Sequence, residues 1–167
     1  MKFPIRKDIR LKDFDYSQDG IYFITICSEN RKNIFSKIKI KQDLESATVE
    51  LTEIGLIAEK HIGLLEQRYN FIEIIAHTIM PNHIHLLISV LNETDKKEKI
   101  SNIVRAYKSL VSTDCAKLLN KRNIFQRSYF DHVIRNEKDL YNTISYIEHN
   151  PGKWIYDKYY SDGTIAT

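Results

Sequence analysis

Apolar residues along this chain follow two rhythms. Ile21-Tyr22-Phe23-Ile24-Thr25-Ile26-Cys27, the stretch from Phe71 to Ile79, and His83 to Val90 are runs rich in β-branched and aromatic residues, with the length of buried strands. Met80-Pro81-Asn82 is too short a link for anything but a hairpin between the last two. Tyr129 to Ile134 is a fourth strand candidate, and Arg31 to Val49 has room for a short hairpin, with charge and isoleucine alternating from Lys37 to Lys41. Elsewhere the period is helical. Ile54, Ala58, His61, Ile62 and Leu65 follow Thr52, a predicted N-cap, with Leu51 and Leu56 placed to form a hydrophobic staple. Ile100, Val104, Tyr107, Val111, Cys115 and Leu118 predict a helix over Lys97 to Leu119. Leu140, Thr143, Ile144 and Ile147 predict another, capped by Asn136 and ended by Pro151, which disfavours helical geometry at Asn150. This order predicts an α+β fold, a central antiparallel sheet with packed helices, as one domain over residues 1–167.

Composition narrows the class. Five Gly and three Pro in 167 residues, with 43% hydrophobic positions, fit a globular chain and not a disordered one. No window approaches a membrane span, and the N-terminus lacks the apolar core of a signal peptide, so the expectation is a cytoplasmic protein with no membrane partner. Cys27 and Cys115 have no metal-like spacing and are expected to be reduced thiols. The net charge of +3 conceals segregation. Between Lys96 and Arg127 there are nine Lys and Arg against Glu98 and Asp114, and a second basic cluster holds Arg10 and Lys12 near the N-terminus. Positive charge gathered in this way is an electrostatic footprint for a polyanion, and equally the pattern of a solvated helix face. Ser101, Arg105, Lys108 and Ser112 recur at helical spacing beside the apolar stripe, in a row able to follow a phosphate backbone.

Two places carry candidate chemistry. Successive side chains on a strand alternate faces, so His83 and His85 share one face and can grip a single metal ion, while Ile84, Leu86 and Ile88 bury the other. On the last helix, Tyr146 and Asn150 lie one turn apart on one face. A nucleophile one turn before an oxygen ligand suits a site completed by the histidines. The same four residues also fit plain packing: two half-exposed histidines, a tyrosine at the core edge, and an asparagine at a helix end.

MPNHIHLLI, then RAYKSLVS, then FQRSYFDHVIRNEKDLYNTISYIEHNPGKW resemble the REP-associated tyrosine transposases, in the single-tyrosine branch of the HUH endonucleases. The opening IRLKDFDYSQDGIYFITICSENRKNIF fits the start of that family, and the resemblance runs from about Ile9 to Trp154. By motif position His83 and His85 resemble the family's metal ligands, Asn150 the third ligand and Tyr146 the nucleophile. The resemblance implies a ferredoxin-like HUH core and a single-stranded, hairpin-bearing DNA substrate. It also implies a 5′-phosphotyrosine intermediate with a free 3′-OH. Because some relatives exchange the tyrosine helix between subunits, a homodimer is among the expectations. Two imidazoles and an amide oxygen make a mixed, fairly hard site, better suited to Mg²⁺ or Mn²⁺ than to structural zinc. Arg105 and Lys108, with Arg10, Lys12 and Arg127, are the candidate DNA contacts. Two other classes compete: a non-catalytic single-strand nucleic-acid-binding module on a similar sheet, and a hydrolase that uses a metal-activated water and has no need of Tyr146.

Overall fold

A computed structural model describes residues 14–40, 47–92 and 98–160, so Arg10 and Lys12 lie outside the described residues. The three long apolar runs form β1 (Gly20–Cys27), β4 (Ile72–Ile79) and β5 (His83–Val90). The fourth candidate is a short edge strand, β6 (Phe130–Val133). All pairings are antiparallel, in the spatial order β4-β5-β1-β6. The ambiguous region holds a hairpin, β2 (Ser36–Ile40) with β3 (Ala47–Leu51), which forms a separate two-stranded sheet. Helices follow as α1 (Glu53–Gly63), the single turn α2 (Leu65–Arg68), α3 (Ile100–Leu119) and α4 (Glu137–His149). Without the inserted hairpin and α4, the order β1, α1, β4, β5, α3, β6 is the split β-α-β-β-α-β arrangement of ferredoxin-like folds.

Strand alternation divides the molecule into layers. Tyr22, Ile24 and Ile26 of β1 and Ile84, Leu86 and Ile88 of β5 point to one face, where they form the main core with Ala58 and Ile62 of α1 and Ile103, Val104, Tyr107 and Val111 of α3. The opposite face carries Phe23, Thr25, His83, His85 and Leu87, and α4 lies across it. The sheet is therefore sandwiched, with the two histidines on the side away from α3.

Local signals explain the ends of the elements. Thr52 caps α1, its Oγ1 accepting from the Gly55 N–H at 3.1 Å. Leu56 stays exposed at 59%, so the predicted staple is not a buried contact. The third helix begins at Ile100, after an extended Lys99; Lys97, its expected start, lies outside the described residues. Leu118 is 67% exposed because the last turn of α3 packs Leu119 against the core in its place, and Ile103 takes a core position that the predicted stripe omitted.

Candidate active site

β5 begins at His83, directly after Met80-Pro81-Asn82, where the Met80 N–H donates to the His83 carbonyl at 2.9 Å. This turn sets the phase of the strand and sends both imidazoles to the α4 side. Their ring centroids are 4.5 Å apart, and the two Nε2 atoms approach to 3.0 Å. Cross-strand pairing places Thr25 beside His85 and Cys27 beside His83. Both histidines are buried, at 7% and 3% exposure.

Burial also fixes their charge. The His83 imidazolium is disfavoured first by desolvation and then by the Arg31 charge, against a smaller opposing effect of Asp157, which takes its pKa down to about 4. His85 is driven well below the ordinary histidine value by burial, then by His83 and Arg31. At neutral pH both rings are uncharged and have lone pairs to offer.

Hydrogen bonds decide where those lone pairs point. Asn82 Oδ1 lies 2.6 Å from His83 Nδ1. An amide oxygen only accepts, so Nδ1 carries the proton and the lone pair of His83 sits on Nε2, facing His85. Thr25 Oγ1 lies 2.9 Å from His85 Nδ1, and a hydroxyl can donate or accept. If it donates, His85 Nε2–H in turn donates to His83 Nε2. If it accepts, both Nε2 lone pairs face the same point. Two nitrogens 3.0 Å apart suit neighbouring positions on one ion with metal–nitrogen bonds of about 2.1 Å.

The tyrosine arrives from α4. Asn136 caps that helix by accepting from the Asp139 N–H at 2.9 Å, and Asp139 pairs with His132 Nε2 of β6 at 2.9 Å, pinning the helix start to the sheet edge. The hydrogen bond from His132 holds the Asp139 carboxyl below its usual range. One apolar face, with Thr143 and Ile147 buried, packs downward. Tyr146 lies beside it, its ring 5.4 Å from His85 and 6.0 Å from Phe23. At 44% exposure it is accessible, unlike the histidines beneath it. Tyr141, on the same helix, is 73% exposed. Asn150 is buried at the helix end, its carbonyl accepting from the Lys153 N–H at 3.1 Å in the 3-10 turn Pro151–Tyr156. That turn carries Trp154 to 6.5 Å from His83.

His83, His85 and Tyr146 therefore form one cluster, and Asn150 sits buried at the end of the helix that supplies the tyrosine. The basic residues are elsewhere. Arg105 is exposed on α3, in the layer behind the sheet, and donates to Asn102 Oδ1 at 2.7 Å. Lys108 is half-buried, and its Nζ donates to the carbonyls of Gln126 (2.5 Å) and Arg127 (3.0 Å). Burial lowers its pKa. Arg127 is exposed on this same loop, which runs along the end of β1 through the Ser28–Phe125 bridge. Among the described residues, no three His, Cys, Asp or Glu side chains form a metal-holding group, and no helix is long and apolar enough to cross a membrane.

Sequence reasoning passed over Thr25, Asn82 and Trp154, and took Phe23 only as an aromatic able to stack bases. Asn82 stood next to His83 and was legible only as a turn residue. The others reach the site through sheet register or the 3-10 turn, which spacing along the chain does not reveal.

The sequence matches the family profile "Transposase IS200 like" over residues 17–150. A REP-associated tyrosine transposase from Escherichia coli (strain K12) is 28% identical over 152 residues, covering 91% of this chain and 78% of that protein. An uncharacterised protein from Haemophilus influenzae is 29% identical over 175 residues and covers 94% of both chains. Among solved structures, a REP-associated tyrosine transposase bound to a REP hairpin superposes with a TM-score of 0.61 at 22% identity, over 89% of this chain and 76% of that one. At that identity the likeness speaks of the fold.

Proposed function

Because the chain belongs to the IS200-like transposase family, we propose that it cuts and rejoins single-stranded DNA near a hairpin, with Tyr146 as nucleophile and His83, His85 and Asn150 as ligands of Mg²⁺ or Mn²⁺. The observation that carries this reading is the accessible Tyr146 ring 5.4 Å from His85, above a histidine pair whose uncharged nitrogens are 3.0 Å apart. The donor set fits the ion: two neutral imidazoles and an amide oxygen leave open positions for water and phosphate. When bound, the ion would polarise a phosphate oxygen and offset charge in the transition state.

The remaining chemistry belongs to the chain and its substrate. Tyr146 loses its phenolic proton, and its oxygen attacks the scissile phosphorus. The bond from phosphorus to the 3′ oxygen breaks, and that oxygen takes up a proton to leave as a 3′-OH. The 5′-phosphate is now esterified to Tyr146. Phenolate is a better leaving group than an alkoxide, so a 3′-OH can later attack the same phosphorus and release the tyrosine. No nucleotide is consumed in this exchange. The hairpin preference is carried over from the named relative whose structure holds a REP hairpin.

The test uses an end-labelled hairpin-bearing single strand with Mg²⁺, resolved under denaturing conditions. The expected result is a covalent protein–DNA adduct and a free 3′-OH fragment. Tyr146→Phe keeps the ring packing, and with it no adduct and no cleavage are expected. Cleavage without an adduct by Tyr146→Phe would establish a water nucleophile instead. Binding without cleavage by the unaltered protein would leave only a binding module.

A further inference from the structure

Residues directly paired across antiparallel strands point to the same face. The pairings Thr78–His85, His85–Thr25 and Thr25–Phe130 therefore set four side chains in one row across the sheet, on the face that carries the histidines. Exposure changes along this row. Thr78 and His85 are buried, Thr25 is half-buried, and Phe130, at the β6 edge, is 46% exposed. The neighbouring row pairs Phe23 with His132, and the first turn of α4 is fastened to it by the bond from His132 to Asp139. The row of His85 is thus covered at its centre, where Tyr146 lies beside His85, and open at Phe130.

Phe130 does not serve the core. Tyr129, one residue earlier, is buried in the main core, and Asp131, one residue later, pairs with the core-facing Ile24. Phe130 points the other way and is not among the apolar residues packed against that core. Among the described residues, no aromatic ring packs on it. A lone exposed phenylalanine is ordinary at a protein surface. Its position sets this one apart. Two interstrand spacings put its Cα about 10 Å from that of His85. A nucleic-acid strand covers that distance in about three nucleotides at duplex spacing, and in fewer when extended. Arg127 and Ser128, which lead into β6, are exposed too, so a cation accompanies the ring at this edge. An open aromatic face with a nearby cation is a combination by which proteins hold single strands.

We propose that Phe130 is a base-stacking residue, and that one nucleobase of the DNA strand lies on its ring within about three nucleotides of the phosphate that Tyr146 attacks. Stacking needs only the π-face that every base has, so the contact positions the strand without reading its sequence. Because β1 holds β6 in register, the stacked base sets how far the strand runs before its backbone reaches the histidine pair. The proposal rests on the reading of the chain as a DNA-cutting enzyme for the identity of its ligand.

The experiment scans single abasic sites along a hairpin-bearing strand. Binding is measured by fluorescence anisotropy for the Tyr146→Phe protein and for Tyr146→Phe with Phe130→Leu, which keeps apolar bulk on the strand without a ring face. Loss of the stacked base should weaken the first protein about tenfold at one position or two adjacent ones, whereas exchanging that base for another should change its affinity less than about threefold. The Phe130→Leu protein should bind the intact strand about tenfold more weakly and show no further loss at that position. Phe130→Trp should restore both the affinity and the position dependence, and the melting temperatures of all these proteins should agree, because the side chain lies outside the core. Equal losses in both proteins at every position, or intact-strand binding by Phe130→Leu as tight as its parent's, would show that no base stacks here. A coupled position more than about three nucleotides from the cleaved phosphate would place the ring away from the reacting strand segment. Covalent adduct formation by the unaltered protein is scored separately. Coupling at one position without any adduct would sink the proposed reaction and leave Phe130 as a stacking residue. An adduct without coupling would do the reverse, and no DNA binding at all would overturn both.

Discussion

Asn82 and Thr25 hold the outer nitrogens of the two imidazoles, at 2.6 and 2.9 Å, and so control which nitrogen of each faces inward. Partners of this kind typically change metal affinity by about 10–100-fold when removed. Asn82→Ala and Thr25→Val should each weaken Mn²⁺ binding by roughly that factor, read by calorimetry on the DNA-free protein, with little change in melting temperature for Thr25→Val. Unchanged Mn²⁺ affinity in both variants would show that the histidines need no orientation from outside. The candidate residues were picked out in the chain because each pair is local: two positions apart on a strand, four apart on a helix. Of the residues that orient them, Asn82 was legible only as a turn residue, and Thr25 was not legible at all, because it meets His85 only through the β1–β5 register.

Among the elements, the join between the β2–β3 hairpin and α1 leaves no room at Gly55. A Cβ placed on Gly55 would meet the Phe35 carbonyl oxygen at 2.0 Å, and that oxygen also accepts from the Thr52 N–H at 3.0 Å, so it cannot retreat without loss. Gly55→Ala should destabilise the fold by about 3 kcal/mol, at the upper end of ordinary overpacking, and denaturant unfolding would measure it. A stability within 0.5 kcal/mol or so of the parent would mean that the hairpin shifts freely. A second junction, between α1 and α3, should show in acid. His61 Nε2 lies 2.8 Å from Asp114 Oδ2, and this hydrogen bond, followed by the charges of His61 and Lys60, holds the Asp114 carboxyl below its ordinary value of 3.8. A carboxyl with a depressed folded pKa contributes stability that is complete above its unfolded value and is lost as pH falls through the folded one. Unfolding free energy should therefore drop below about pH 4, and Asp114→Asn, which can still accept from His61, should remove that part of the drop. The helical stripes foretold which faces pack, yet the stripe of α3 overreached at Leu118, as the staple expected of Leu56 did at the start of α1. Periodicity marks an apolar face only to within a residue: Ile57 and Ala58 are buried beside Leu56, and Leu119 packs against the core beside Leu118.

At the scale of the molecule, the basic segment and the tyrosine lie in different layers. Arg105 is on α3, behind the sheet, whereas Tyr146 is on α4, in front of it. A strand that touched both would have to pass round the sheet. The positive charge of Arg105 and Lys108 on α3 and of Arg127 on the following loop therefore lies apart from the candidate site, which predicts contacts to phosphate without base reading. The two cations of the α3 row should then behave differently. Arg105 is exposed, with one bond to Asn102, so Arg105→Gln should leave the melting temperature unchanged, weaken binding alike for unrelated hairpins, and reduce the slope of log affinity against log salt by about 0.7 for a single-strand contact. Lys108 already donates to the carbonyls of Gln126 and Arg127, so Lys108→Met should lower the melting temperature by releasing that loop. Any loss of DNA affinity it shows should follow from displacing Arg127. Salt titrations and thermal melts on the two variants, with two hairpins of unrelated sequence, test the division. An Arg105→Gln protein that discriminates between the hairpins would mean that α3 reads bases. A Lys108→Met protein with the parent's stability and a reduced salt slope would mean that its ammonium is free to meet phosphate after all.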